Sequence, residues 1–292
     1  MRLSPNPRLG YTPVPNSDNR NNFGFRDDNW NPTDDRDKYR IVIIGDSVTD
    51  GHPDWNGPYT NNYAHVLESE LNQKGHNVVV YNAGVSSYNT LMEVELLKTL
   101  KDELKPDMVI LAYVLNDSFK EYPYPLFSLL EKAVETRQWQ TGFSSFLFTH
   151  SDLYRFCYSF LSTDSDIEDR LQQAGEYAIL YQDTVSQSLK ELSDLSRQDS
   201  FQTLVLIFPF LKDKQNNEIN LLHEYPYEYL HTQAIQRASQ ADLPAIDLRE
   251  QIHSCREKNG AIHADTIHLN AVGNRCIGEY LASELIARDL IP

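Results

Sequence analysis

The stretch "RIVIIGDSVTDG", residues 40–51, indicates the fold class of this chain. Four apolar residues, Ile41 to Ile44, lead directly into the tripeptide "GDS" at 45–47. A short apolar run that ends at Gly and Asp is typical of a strand buried on both faces of a parallel sheet. Ser47 would then follow the carboxyl end of that strand, where open α/β sheets bind their ligands. The stretch alone leaves three roles open for Ser47: a nucleophile, a helix cap or part of a turn.

Four further apolar runs predict strands, and helical patterns separate them. The predicted strands are 40–45, 77–82, 107–114, 203–208 and 243–248, and the predicted helices are roughly 59–74, 89–104, 227–241 and 271–288. Strands that alternate with helices are typical of βαβ crossovers and a parallel sheet. We therefore expect an α/β fold, a three-layer α/β/α sandwich with a flavodoxin-like, five-stranded parallel sheet in the order 2-1-3-4-5.

Two segments do not follow this alternation. Residues 1–38 hold five of the fourteen prolines, so we expect an extended arm packed on the main domain, which covers 39–292. Residues 119–200 are too long for an ordinary crossover between strands three and four, and we expect a helical insertion or cap there. Apolar residues at three- and four-residue steps over 167–195 predict one long helix. The aromatic-rich part before that helix is either a satellite core or a lid.

Composition excludes several classes of function. The net charge of −16 argues against a nucleic-acid partner and against docking on an anionic membrane. No run is apolar enough to span a membrane, and the first thirty residues lack the apolar core of a signal peptide. Cys157, Cys255 and Cys276 form neither a metal-binding pattern nor a disulfide framework. We therefore expect reduced thiols and a cytoplasmic location, which a removed N-terminal signal or anchor would change.

Polar residues suited to catalysis follow the other predicted strands. Gly84 lies in the turn after the second strand and before a helix, where a glycine lets the backbone approach a ligand closely and leaves its N–H free to donate. Asn116 follows the third strand, where its amide can donate to a developing oxyanion. Near the C-terminus, Asp265 precedes His268 by three residues. A carboxylate at that spacing can hold an imidazole in the tautomer that accepts a proton from serine.

These motifs together resemble the SGNH (GDSL) hydrolase family. The chain carries "GDS" at 45–47, "NAG" at 82–84, "ND" at 116–117 and "DxxH" at 265–268, in the family's order. Each motif is weak alone, and their order and positions give the resemblance its weight. Two positions depart from the family pattern: Val114 stands where the third block usually has glycine, and Leu269 replaces the proline of the usual "HPN".

The resemblance implies a role for each matching residue. Ser47 would be the nucleophile, His268 the general base and then the acid, and Asp265 the group that orients His268. The backbone N–H groups of Ser47 and Gly84, with the Asn116 side chain, would form the oxyanion hole. We expect neither a metal nor an organic cofactor, because no "HExxH", cysteine pair or phosphate-binding loop is present.

The resemblance also implies a reaction. We expect a serine esterase that cleaves carboxylic esters, with acetyl or another short acyl group, through an acyl-enzyme and a Ser-His-Asp triad. The substrate partner would be a small-molecule or carbohydrate ester. An O-acyltransferase that uses the same triad on a sugar or alcohol acceptor is the alternative. A catalytically silent binding protein on this fold is a third hypothesis, against which the complete set of catalytic residues argues.

Overall fold

The five strands of the central sheet are short, and the third along the chain is buried over its whole length. A computed structural model describes residues 2–4, 6, 9, 11–17, 19–51, 58–118, 185–213 and 217–292. The strands are β1 (Tyr39–Gly45), β2 (Val78–Gly84), β3 (Met108–Val114), β4 (Gln202–Phe208) and β5 (Ala245–Asp247). Ile41 to Ile44 are fully buried, as a strand covered on both faces requires.

The sheet has the predicted topology. All neighbouring strands are parallel, and their order is β2-β1-β3-β4-β5. Gly45 lies opposite Gly84 on one side and Ala112 on the other, so β1, β2 and β3 end at the same edge. The predicted α/β/α sandwich and its strand order are confirmed, and Ser47 follows the central strand β1 at that edge.

Helices cover both faces of the sheet. They are α1 (Ser47–Asp50), α2 (Tyr63–Gln73), α3 (Thr90–Leu104), α4 (helical at 185–199), α5 (Glu228–Gln240), α6 (Arg249–Asn259) and α7 (Ala271–Ala287). The strand order, together with the rule that parallel crossovers are right-handed, places α2 on one face and α3, α4 and α5 on the other. Helix α7 packs on α2 and α6, and α3 is joined to α4 by the Lys98–Glu191 and Lys101–Asp199 ion pairs.

Residues 167–184 of the long helix predicted at 167–195 lie outside the described residues. Its last part coincides with α4, in which Val185, Leu189 and Leu192 are buried. The predicted insertion at 119–200 likewise lies mostly outside the described residues, so its nature as a satellite core or a lid stays a prediction.

The outer edge of β2 is closed by side chains. An edge strand exposes a row of N–H groups that other chains can pair with. In β2 the N–H groups that point away from β1 each donate to a side-chain oxygen at 2.6–3.2 Å. The pairs are Val78 to Asn72, Val80 to Glu68, Asn82 to Asp27 and Gly84 to Asn82.

The N-terminal residues contribute to this closure. Asp27 also accepts a hydrogen bond from Trp30 Nε1 at 2.8 Å, and burial raises the pKa of Asp27 to about 7. The Trp30 ring stacks on Phe25 with centroids 4.8 Å apart and meets Tyr81 of β2 edge-on. Leu9 and Tyr11 are buried as well, so the described part of residues 1–38 contributes to the hydrophobic core.

Helices α6 and α7 are joined by a disulfide between Cys255 and Cys276. The expectation that these two cysteines are reduced thiols is therefore wrong. Their spacing gives no sign of the bond, because their Cα atoms come within 6.2 Å only once α6 packs on α7. Helix α6 itself was not predicted: its sequence is mostly polar, and only Ile252 and Cys255 are buried. Cys157 lies outside the described residues. Within the described chain, none of the helices is both long and apolar enough to span a membrane.

The disulfide predicts a thiol count. Protein produced under oxidising conditions and then denatured should react with Ellman's reagent at one thiol, Cys157, and at all three cysteines after reduction. Cys255→Ser should give two reactive thiols without reductant, because Cys276 loses its partner. Three reactive thiols in the unreduced wild type would contradict the disulfide.

Candidate active site

Ser47 begins a single helical turn directly after the central strand. Asp46, not Ser47, caps this turn: its carboxylate accepts the Val48 N–H at 2.9 Å. The role of helix cap that the sequence left open for Ser47 is thus taken by its neighbour. The Ser47 hydroxyl instead lies 2.8 Å from His268 Nε2.

His268 is held between Ser47 and Asp265. Its Nδ1 lies 2.7 Å from Asp265 Oδ2, and its ring is almost fully buried. An ionised carboxylate only accepts hydrogen bonds, so Nδ1 carries the proton and Nε2 is free to accept the Ser47 O–H. The structure therefore brings Ser47, His268 and Asp265 into one hydrogen-bonded chain.

The Asp265 carboxylate is held in its charged form. It also accepts the backbone N–H groups of Ile267 and His268, both at 2.9 Å. Burial acts to raise its pKa, but the hydrogen bonds from the His268 ring and these two N–H groups hold the pKa of Asp265 well below its usual range. An ionised Asp265 at this position can fix the His268 tautomer and stabilise an imidazolium.

The turn that carries His268 is fixed without the family's proline. Leu269, which stands in its place, is buried, and its carbonyl accepts from Asn274 Nδ2 at 3.1 Å. The next residue, Asn270, caps α7 by accepting the N–H groups of Val272 and Gly273 at 3.0 Å. These bonds replace the rigidity that a proline would supply.

The N–H of Gly84 is already paired within β2. It points to the outer edge of β2 and donates to Asn82 Oδ1 at 3.0 Å. The structure therefore does not support the predicted role of this N–H in an oxyanion hole, because the group already has an acceptor on the other side of the strand. The missing side chain has a different use: a Cβ at Gly84 would lie 2.4 Å from Asp50 N and 2.5 Å from the Thr49 carbonyl carbon. Glycine here lets α1 pack on β2.

The other predicted donors lie at the edge where β1 and β3 end. Ser47 N–H has no acceptor among the described residues. Asn116 is half-buried in a tight turn, Leu115–Ser118, that directly follows β3. Its side chain lies beside Asp46. Both groups lie at the edge that carries Ser47.

Three buried carboxyl groups include the cap of α1 and two groups that interact with it electrostatically. Asp46, Glu93 and Asp117 are each at most 2% exposed. Burial raises the pKa of Asp46 to about 6, and burial with mutual repulsion raises the pKa of Glu93 and Asp117 well above their usual range. Asp117 accepts the Thr90 hydroxyl at 2.7 Å. All three groups are shifted toward their neutral forms.

Sequence reasoning did not identify the contacts of the segment that follows Ser47. Asp50 is buried and binds Arg20 and Ser86, and Asn82 donates to the Thr49 carbonyl at 2.9 Å. No local pattern signals these pairs, because their members are thirty or more residues apart in the sequence. In the described part of the chain, no group of three His, Cys, Asp or Glu side chains is arranged to hold a metal.

The chain is similar to a known protein family. A family model described as GDSL-like Lipase/Acylhydrolase family matches residues 43–276, which include Ser47, Asp265 and His268. No curated protein matches the chain.

Solved structures share the fold at low sequence identity. An alpha/beta hydrolase, LAE5, from the metagenome of Lake Arreo has a TM-score of 0.52 at 16% identity, covering 84% of this chain and 94% of its own. The psychrotrophic esterase EstA from Pseudoalteromonas sp. has a TM-score of 0.51 at 11% identity, covering 87% and 99%. A catalytic mutant of Axe2, an acetylxylan esterase from Geobacillus stearothermophilus, has a TM-score of 0.50 at 16% identity, covering 85% and 94%.

Proposed function

The chain belongs to the GDSL-like lipase/acylhydrolase family, and from this membership we propose that it is a serine hydrolase that cleaves carboxylic esters. The observation that carries the proposal is the hydrogen-bonded chain from Ser47 through His268 to Asp265, at 2.8 and 2.7 Å. A serine at a strand end with an imidazole nitrogen on its hydroxyl is an activated nucleophile.

The first half of the reaction forms an acyl-enzyme. Ser47 Oγ attacks the ester carbonyl carbon while His268 Nε2 takes the hydroxyl proton. The carbonyl oxygen becomes an oxyanion, which accepts hydrogen bonds from Ser47 N–H and the Asn116 amide. When the tetrahedral intermediate collapses, the alcohol oxygen leaves with the proton from Nε2, and the acyl group stays on Ser47.

The second half returns the enzyme to its starting state. A water molecule gives a proton to His268 Nε2 and attacks the acyl carbon, and the new oxyanion uses the same two donors. Collapse releases the carboxylic acid and returns the proton to Ser47 Oγ. Throughout, Asp265 stays charged and stabilises the imidazolium form of His268.

We propose acetyl or another short acyl group as the substrate's acyl part, for which the acetylxylan esterase among the structural neighbours is a precedent. A panel of p-nitrophenyl esters of increasing chain length, with acetylated sugars alongside, tests the acyl length. Added alcohols in the same assay test for acyl transfer. Labelling with a fluorophosphonate tests the nucleophile directly, and a chain that neither reacts with this probe nor hydrolyses any ester would contradict the proposal.

Ser47→Ala should abolish hydrolysis and labelling without loss of the fold. Removal of a triad nucleophile costs about 10⁶-fold in kcat in a well-studied serine hydrolase. The measurements are kcat on the best ester, probe labelling and the thermal midpoint. Ser283→Ala, an exposed serine on α7, is the matched control and should behave as wild type. Turnover near wild type in Ser47→Ala would refute the nucleophile assignment.

Asn116→Ala should reduce kcat less than Ser47→Ala does, since one oxyanion donor is worth about 10²–10³-fold in kcat. Asn116→Asp is the control of matched shape: it removes the N–H donor, so it should lose at least as much. Both kcat and KM are measured. An effect confined to KM would mean that Asn116 contacts the substrate in the ground state and not the oxyanion.

The pH dependence should follow from His268. Protonated imidazole cannot accept the Ser47 proton, so kcat/KM should rise with pH through one ionisation and then level off. Because the pKa of Asp265 is held well below its usual range, Asp265 stays charged across this rise and does not itself produce it. The measurement is a pH–rate profile on one p-nitrophenyl ester, corrected for the ionisation of nitrophenol.

Asp265→Asn should lower this whole profile, by about 10⁴-fold in kcat if the loss matches that of serine proteases. The amide can hold the imidazole in the tautomer whose Nε2 already carries a proton. A flat wild-type profile, or an Asp265→Asn enzyme as fast as wild type, would remove the two residues from the proposed mechanism.

A further inference from the structure

The nucleophile turn, which is helix α1 (Ser47–Asp50), has few backbone hydrogen bonds of its own. Helix α1 is four residues long, and its backbone bonds include Asp50 N–H to the Asp46 carbonyl at 2.9 Å and Gly51 N–H to the Ser47 carbonyl at 3.0 Å. A single turn is not stable by itself, because nucleation of a helix is unfavourable. The position of Ser47 therefore depends on what holds α1 from outside.

A charged contact of this kind is made by Asp50, the last residue of α1. Its side chain is fully buried, and it accepts hydrogen bonds from two separate segments. Arg20 donates to both carboxylate oxygens, at 2.6 and 3.1 Å, and the Ser86 hydroxyl donates to Oδ2 at 2.6 Å. A two-pronged guanidinium–carboxylate pair fixes orientation as well as distance.

Two further contacts tie the same three segments together. Arg26, buried beneath the turn, donates to the Gly51 carbonyl at 2.8 Å. Tyr11 donates its hydroxyl to the Ser86 carbonyl at 2.6 Å. The N-terminal segment that carries Tyr11, Arg20 and Arg26 is thus hydrogen-bonded to α1, to Gly51 and to the loop that follows β2.

From this geometry we propose that Arg20 is a positioning residue for the reaction: through Asp50 it holds the turn that presents Ser47 to His268. The inference rests on the proposed function. Without Arg20 the buried Asp50 carboxylate keeps only the Ser86 hydroxyl among these donors, and an uncompensated charge must move toward solvent. Asp50 is three residues from Ser47 in the same turn, so this movement displaces the nucleophile.

Loss of the Arg20–Asp50 pair should affect kcat and not KM. Arg20→Ala should lower kcat by about 10- to 100-fold with little change in KM, because a misplacement of about 1 Å can cost that much. Arg20→Lys should recover only part of the loss, since an ammonium is a point charge and cannot reproduce the fork. Asp50→Asn should resemble Arg20→Ala. The double variant should be no slower than the slower single variant, because the two side chains act as one unit.

Chemical rescue separates positioning from a general loss of stability. Methylguanidinium, added well below denaturing concentrations, should restore part of the kcat of Arg20→Ala and none of that of Asp50→Asn. The matched control is Arg40→Ala. Arg40 pairs with Asp107 at the opposite end of β1, and its side chain is 17% exposed against 16% for Arg20. This control should keep wild-type kcat with or without methylguanidinium.

The outcomes are decisive in each direction. An active wild type with a fully active Arg20→Ala overturns this inference alone. An equal loss of kcat in Arg20→Ala and Arg40→Ala, without rescue, overturns it as well, because the effect would then be general. A wild type that hydrolyses no ester and takes up no fluorophosphonate overturns the proposed function, and the inference with it.

Discussion

The hydrogen bond between the Ser47 hydroxyl and His268 Nε2 joins residues 221 positions apart, so it depends on how distant elements of the fold pack together. Helix α7 must dock so that the turn before it reaches the carboxyl edge of β1. It does so against α2, where a Cβ at Gly278 would lie only 2.5 Å from Val66 Cβ. The close approach of these helices is possible because position 278 has no side chain.

A chain of polar contacts continues from that docking to the nucleophile. Asn274 of α7 donates to the Leu269 carbonyl and accepts the Tyr63 N–H at 3.2 Å. The hydroxyl of Tyr63 lies 2.8 Å from Thr49 Oγ1 in α1. The turn that carries His268 and the turn that carries Ser47 are therefore held to the same residue of α2, and the distance between them is set by packed side chains.

Local sequence patterns predicted the elements well, and contacts between distant residues account for what they missed. Strand β1 was predicted at 40–45 and found at Tyr39–Gly45, because an apolar run between polar turns has few other solutions. Ser47 lies at the shared edge because it follows β1, whereas His268 and Asp265 reach that edge only through the docking of α7 on α2. The orientation of the Gly84 N–H did not follow, since it depends on which side of β2 faces β1. The disulfide and the Arg20–Asp50 pair arise only when separate segments pack together, and no local periodicity records them.

Charge around Ser47 imposes the last constraint. The proposed reaction places a negative oxyanion at an edge that also holds four buried carboxyl groups, and each of these, if ionised and unpaired, would oppose it. Two effects reduce the negative charge of these groups. Burial shifts Asp46, Glu93 and Asp117 toward their neutral forms. Asp50 instead receives the cation of Arg20. Arg20 of the N-terminal segment thus has two effects on the proposed reaction. It holds the turn that carries Ser47, and it neutralises the Asp50 carboxylate three residues from Ser47.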